Sequence, residues 1–380
     1  MRRTPAAVRT SRRLLTGYFA GLGVVMAVWG ARMPAVQQTA HLSTADLALV
    51  LLTAALGMVT GLQTGGWLAR PHRLPALLTT GAVALAGCLA LLGQCRTLPS
   101  LLVAAWAFGT AHGVADVAAN SAAVRCQNAA GRPIMSGLHA AYSLGALGGA
   151  ALAAATAHTP HRVLFLTTGL SLAGLALAVT PVTRSLSGTD RPPAPAGAQP
   201  RLSARTLVLL GALAAASLLG EGAAADWAAV HLHSLGAPAA VSAAAFALYS
   251  AAMAAGRLAG DRLTQAFSAP TIVRAGALLA AAGLATGVLA ATVPLALAGW
   301  TALGLGLSIT VPCLITAAGV GGPRAVATVA VIGYLGLLAG PALIGALASL
   351  TTLPTALLLP ALLAAAVAAL SHRALEHPTP

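Results

Sequence analysis

Seven acidic residues occur in this chain of 380, and three of them, Asp116, Glu221 and Asp226, stand in stretches made otherwise of Ala, Leu, Gly and Val. A carboxylate among apolar neighbours has to be solvated, paired or protonated, so these positions are where chemistry would sit. His112, Asp116 and Asn120 recur every four residues and share one face of a helix. Two readings fit that stripe. It is a hydrogen-bonded cluster between helices, or it is a solute or proton site built on Asp116 with His112 as its partner. His139, Tyr142 and Ser143 make a similar face at spacings of three and one, placed to bond across to the Asp116 helix or to touch a ligand. Glu221 and Asp226 are five residues apart and point about 140° from one another on a helix, so they serve different surroundings. A carboxylate removed from water holds a proton more readily, which is what a coupling residue needs. Glu221, between Gly220 and Gly222, is the preferred one. Arg32, in Trp29-Gly30-Ala31-Arg32-Met33-Pro34, either reaches for lipid headgroups or meets an anionic group where Pro34 loosens the helix.

The elements that position these residues must live in lipid. Hydrophobic residues make up 58% of the chain and charged residues 7%, against roughly 25% charged in soluble domains. A span of the hydrocarbon core takes about 20 helical residues. Such runs occur at about 14–35, 45–68, 74–94, 98–122, 134–157, 162–182, 206–231, 238–259, 271–291, 294–317, 325–350 and 353–371. Ser43 and Asp46 form a capping box at the second span, and Pro99, Pro238, Pro270 and Pro294 sit at helix starts. Pro312, Pro341 and Pro360 lie inside spans, where they are expected to kink them.

The net charge of +14 comes from 21 Arg and no Lys. With twelve spans and the N-terminus inside, eighteen of these Arg fall in cytoplasmic segments, including Arg257 and Arg262, and only Arg96 and Arg162 fall outside. Both termini are therefore expected in the cytoplasm. The same distribution argues against a nucleic-acid face. Ser11-Arg12-Arg13-Leu14-Leu15 reads as an anchor for the first span rather than an export signal, because the apolar run is long and eleven spans follow. The four cysteines lack metal spacing.

A Pro-rich, Arg-rich stretch at 183–205 reads as a cytoplasmic linker between a first bundle at 1–182 and a second at 206–380. The halves repeat at an offset of about 190 residues. Gly131-Arg132-Pro133 matches Gly321-Gly322-Pro323, and Gly145 and Gly149 match Gly336 and Gly340. Gly65-Gly66-Trp67-Leu68-Ala69-Arg70 matches the stretch from Ala255 to Arg262. A parallel six-plus-six repeat is the layout of transporters that rock two bundles related by an axis along the membrane normal. Glycines spaced by four, at Gly57, Gly61 and Gly65 among others, permit close helix contact.

These loops resemble the signature loop of the major facilitator superfamily, in which a Gly is followed by Asp-Arg and further basic residues. The second copy keeps Gly256, Asp261 and Arg262 with one extra residue between. The first keeps Gly66, Arg70 and Arg73 and lacks the Asp. Three more stretches resemble a bacterial branch distantly similar to sugar:proton symporters. They are Asp116 to Asn120 with the Gly131–Ser136 stretch and His139, then Glu221-Gly222 with Asp226-Trp227, and Gly333-Tyr334-Leu335-Gly336 with Gly340-Pro341. The resemblance implies an all-α membrane protein of twelve helices in two bundles of six related by pseudo-twofold symmetry. It implies secondary transport by alternating access, with the loop residues forming a conformational lock.

No Walker loop, metalloprotease motif or paired catalytic motif is present, so an enzyme is not expected. No cofactor or metal is expected either. The partners expected are a small solute, protons and the lipid bilayer, with a monomer as the working unit in a bacterial cytoplasmic membrane. The missing Asp of the first loop leaves one other class open, a membrane sensor or scaffold on a transporter fold.

Overall fold

A computed structural model of the chain describes residues 5–184 and 202–376. Most of the expected linker at 183–205 lies outside the described residues. The helices are α1 (Pro5–Ala31), α2 (Met33–Thr39), α3 (Thr44–Leu68), α4 (Leu74–Leu92), α5 (Leu98–Ala130), α6 (Met135–Ala155), α7 (His161–Ala178) and α8 (Thr180–Arg184). The second half adds α9 (Ala204–Ser234), α10 (Ala239–Phe267), α11 (Ala269–Leu289), α12 (Val293–Leu307), α13 (Thr310–Ala318), α14 (Pro323–Leu350) and α15 (Leu353–Leu375). Twelve stretches among the described residues are long and apolar enough to cross a membrane, the number expected from the sequence.

Local signals explain the ends. Ser43 and Asp46 make the reciprocal capping box at α3, with the Asp46 amide donating to Ser43 Oγ at 3.1 Å and the Ser43 amide donating to the Asp46 carboxylate at 3.0 Å. Prolines set three interruptions. A proline lacks the N–H that bonds four residues back, and its ring collides with that carbonyl. α1 therefore stops at Ala31 ahead of Pro34, α7 at Ala178 ahead of Pro181, and the tenth span divides at Ser308–Ile309 ahead of Pro312. Pro312 thus breaks its span, whereas Pro341 and Pro360 sit inside continuous helices.

Two boundaries differ from the sequence reading in ways that matter. α10 continues to Phe267, so Asp261 and Arg262 stand on a helix rather than in a loop. Arg257, counted above as a cytoplasmic charge, is a buried residue of α10.

The chain divides into two compact units. One comprises residues 1–131, 141–200 and 321–327, and the other comprises 132–140, 201–320 and 328–380. Each unit therefore takes the opening turns of one helix from the other half of the sequence, α6 in one case and α14 in the other. Gly131 and Gly322 precede those two helices and both adopt left-handed φ, +64° and +81°, which glycine takes without a Cβ penalty.

Inside each unit the glycine stripes act as expected. A Cβ at Gly57, Gly61 or Gly65 of α3 would run into the backbone of Trp106, Thr110 or Val114 of α5. Gly145 and Gly149 of α6 meet Ala20 and Val24 of α1, and Gly336 and Gly340 of α14 meet Ala215 and Leu219 of α9 in the same manner. Small residues let these backbones approach closely where no hydrophobic effect drives them together.

Candidate functional site

In the first unit the polar stripe of α5 is present, with His112 and Asn120 buried and Asp116 partly so. Asn120 Nδ2 donates to Asp116 Oδ1 at 3.1 Å and to the Asp116 carbonyl at 3.0 Å. The partner of Asp116 is therefore Asn120. Among the described residues His112 makes no hydrogen bond to it, contrary to the pairing expected from the spacing. One acceptor of the amide, Asn120 Oδ1, is buried without a partner. Among the described residues no cation pairs with Asp116, so its hydrogen-bond partner is a neutral amide.

The second unit gathers a different group. Arg257 of α10 reaches Glu221 of α9, with Nη2 3.6 Å from Oε2, and their side chains are 8% and 33% exposed. His139, on the opening turns of α6, lies within the electrostatic reach of Arg257. Tyr249 of α10 feels both Glu221 and Arg257, and its hydroxyl donates to Met253 Sδ at 3.9 Å. The sequence grouped His139 with Tyr142 and Ser143, but the structure divides them. His139 belongs to the second unit, while Tyr142 belongs to the first, half-buried and with its carbonyl against Gly23 of α1. Asp226 is exposed on α9, on a different face from Glu221 as the five-residue spacing requires.

Arg32 fills the break between α1 and α2. Its guanidinium donates to the carbonyls of Ala153 at 3.0 Å and Ala157 at 3.1 Å, and to the carbonyl of Thr156, all at the end of α6. A cation there satisfies carbonyls that have no partner within the helix and complements its dipole. In this arrangement Arg32 is a C-cap supplied by another helix and not an open anion receptor.

The opposite end of α6 is held by an anion. The amides of Ser136 and Gly137 donate to Asp261 Oδ1 at 2.9 Å and Oδ2 at 3.0 Å. The residue ahead of α6 is Ile134, which has no side-chain oxygen for the first turn. Gly260 allows the approach, since a Cβ there would come within 2.7 Å of Ser136. Gly256 serves another contact, against Ser308. The matching place in the first unit has Gly66 against Pro323, Arg324 and Ala327 of α14, with Trp67 following it, exposed, where the other unit has Asp261. Arg70, Arg73 and Arg262 are exposed. Among the described residues no three His, Cys, Asp or Glu gather to hold a metal ion.

No family model matches the chain. Two curated relatives match it nearly end to end. One is the uncharacterized transporter y4wD of Sinorhizobium fredii, 34% identical over 374 residues and covering 95% of this chain and 98% of the relative. The other is an uncharacterized MFS-type transporter of Yersinia pestis, 33% identical over 366 residues and covering 93% of each. The chain belongs to the major facilitator superfamily. Among solved structures, the fucose:proton symporter FucP of E. coli matches this transporter with a TM-score of 0.72 at 17% identity, over 97% of this chain and 98% of that one.

Two members of the group around Glu221, Arg257 and Tyr249, were not among the residues singled out from the sequence. Arg257 was hidden by its position next to a basic helix end, where an Arg ordinarily marks the cytoplasmic side. One signal was available. Glu221 lacked a cation, and Arg257 is a basic residue ten positions inside the end of α10.

Proposed function

We propose that this membrane transporter moves a small solute by alternating access and couples that movement to protons. The Glu221–Arg257 pair, its Arg buried and its Glu partly exposed, with His139 and Tyr249 in its field, carries the reading. A proton and a guanidinium compete for the same carboxylate. A proton or a solute at Glu221 weakens its pairing with Arg257 and lets α9 and α10 shift, and its departure restores the pair. Asp116, held among the described residues by Asn120, is the second carboxylate able to carry a proton. The bonds from Asp261 to α6 are the lock that one conformational state keeps and another releases. The likeness in fold to a fucose:proton symporter supports neutral polyhydroxylated solutes as the first to try. The Arg distribution supports a bacterial cytoplasmic membrane with both termini in the cytoplasm.

The test begins with a thermal-shift screen of the purified protein against a metabolite panel weighted toward sugars and polyols. Uptake and exchange of the hit are then measured in proteoliposomes with an imposed pH gradient. Asp116→Asn and Glu221→Gln keep shape and remove a proton site. One of them is expected to abolish accumulation driven by the gradient while solute exchange persists. Wild-type accumulation in both would overturn proton coupling through these carboxylates.

A further inference from the structure

The first unit contains a cavity of about 430 Å³ that holds none of the candidate site residues. That is the size of a small-molecule site rather than of a packing gap. Its walls are α1, α4, α7 and α8, with Ala115 and Ala119 of α5 beneath. The lining is apolar except at the N-terminal end of α1, where Thr10, Arg13 and Tyr18 stand. Tyr18 is already bonded, its hydroxyl 3.1 Å from Thr183 Oγ1 and 3.4 Å from Thr79 Oγ1. Arg13 is exposed at the mouth, and Arg184 closes α8 two residues after the lining Val182. None of the four wall helices contains an Asp or Glu. Among the described residues, that end of the groove carries Arg13 and Arg184 and no acid.

Two features show what shape of molecule fits. Leu175 and Val182 line the groove and are themselves 59% and 41% exposed, so the groove opens sideways where a membrane protein faces hydrocarbon. Gly17 and Gly21 line it as well, and a Cβ at either would meet nothing within 4 Å. Gly23 on the same helix differs, since a Cβ there would collide with the Tyr142 carbonyl. Gly17 and Gly21 are therefore not spacers for a neighbouring helix, although each weakens α1 by about 1 kcal/mol relative to Ala. They leave a flat channel along the helix. A solute with polar groups all round finds no partners in it. An amphiphile with an apolar tail and an anionic head matches both the channel and its mouth.

We infer that this groove holds an acyl chain of an anionic phospholipid from the leaflet at the N-terminal end of α1, with the lipid phosphate on Arg13. Basic side chains near a membrane surface select anionic lipids, and each buried methylene adds to retention.

The experiment is native mass spectrometry of the full-length protein released from detergent after incubation with equal amounts of phosphatidylglycerol and phosphatidylcholine. One phosphatidylglycerol is expected to remain bound in preference. Gly21→Leu puts a side chain into the channel at a position where its Cβ meets nothing within 4 Å, and should lower retention about tenfold, the worth of roughly two buried methylenes. Arg13→Gln should leave the tail site open but cut the preference for phosphatidylglycerol about fivefold. Gly87→Leu, on α4 away from the groove and equally free of neighbours within 4 Å, is the control for folding and should retain lipid like wild type. Wild-type retention by Gly21→Leu, or no preference for phosphatidylglycerol in the wild type, would overturn the proposal. So would glycerol phosphate competing as well as the whole lipid, which would reduce the site to its headgroup end.

Discussion

The two units use the same packing positions and fill them with different charge. In each, glycines four apart bring an α6-like or α14-like helix against the first helix of its half, and a glycine at the end of α3 or α10 admits the opening turn of another helix. The polar groups differ. The first unit holds its membrane carboxylate, Asp116, with a neutral amide, whereas the second holds Glu221 with a guanidinium. The first receives α14 with Pro323, Arg324 and Ala327 against Gly66, while the second receives α6 with the Asp261 carboxylate on two amides. Backbone approach is fixed by geometry common to both copies. Charge placement is free to diverge once the packing is set, and the second unit is the one that carries an ion pair and a carboxylate on a helix start.

The largest effect should come from breaking the ion pair one-sidedly. Arg257→Met leaves Glu221 without its cation, and the loss should approach the lower end of the roughly 3–5 kcal/mol seen when a buried pair loses one member, because Glu221 keeps some contact with water. Adding Glu221→Gln should restore much of that stability. Denaturation of the single and double variants in one detergent measures the coupling, and additive losses would show that the two side chains do not depend on each other.

Next in size is Asp261→Asn, which keeps the shape but removes the charge from the α6 amides. A loss of about 1–3 kcal/mol is expected, with faster hydrogen exchange at Ser136 and Gly137. Unchanged exchange at those amides would mean that the carboxylate is not what holds the helix start.

Asp116→Asn should cost less, under about 1 kcal/mol, because an amide pair can replace the acid–amide pair on the same face. Thermal unfolding of the two carboxylate variants, compared side by side, tests whether the neutral partner of Asp116 makes it the more tolerant site. The smallest effect is a gain. Trp67→Asp places a carboxylate at the entry of α14 as Asp261 does at α6, and an anion at a helix start is worth about 0.3–1 kcal/mol. No gain in melting temperature would show that Gly322 and Pro323 have already settled that end.

Much of this was legible in the residues. Twelve spans follow from hydropathy, and the glycine stripes and the α3 capping box follow from spacing, since each depends on neighbours a turn or two away. Asp116 and Asn120 also paired as their four-residue spacing allows. What was not legible depends on partners far along the chain. Arg257 looks like any basic residue near a helix end until Glu221 is placed beside it. The sequence grouped His139 with its neighbours on α6, yet the division of that helix between units sends it to Arg257. The groove beside α1 could not be foreseen at all, because Gly17, Gly21 and Gly23 are the same letter, and only the surroundings separate a close contact from an open channel.

The clamp on α6 also bears on how the chain is made. Arg32, which closes the far end of this helix, leaves the ribosome more than a hundred residues before it. Asp261, which closes the near end, is 125 residues later than Ser136. At roughly 5–20 residues per second, α6 waits on the order of 6–25 s with its first amides lacking their carboxylate. During that interval the nascent first half has a helix start that only water, lipid headgroups or an insertion chaperone can satisfy. Translation of α10 is therefore the step at which that start acquires its own partner.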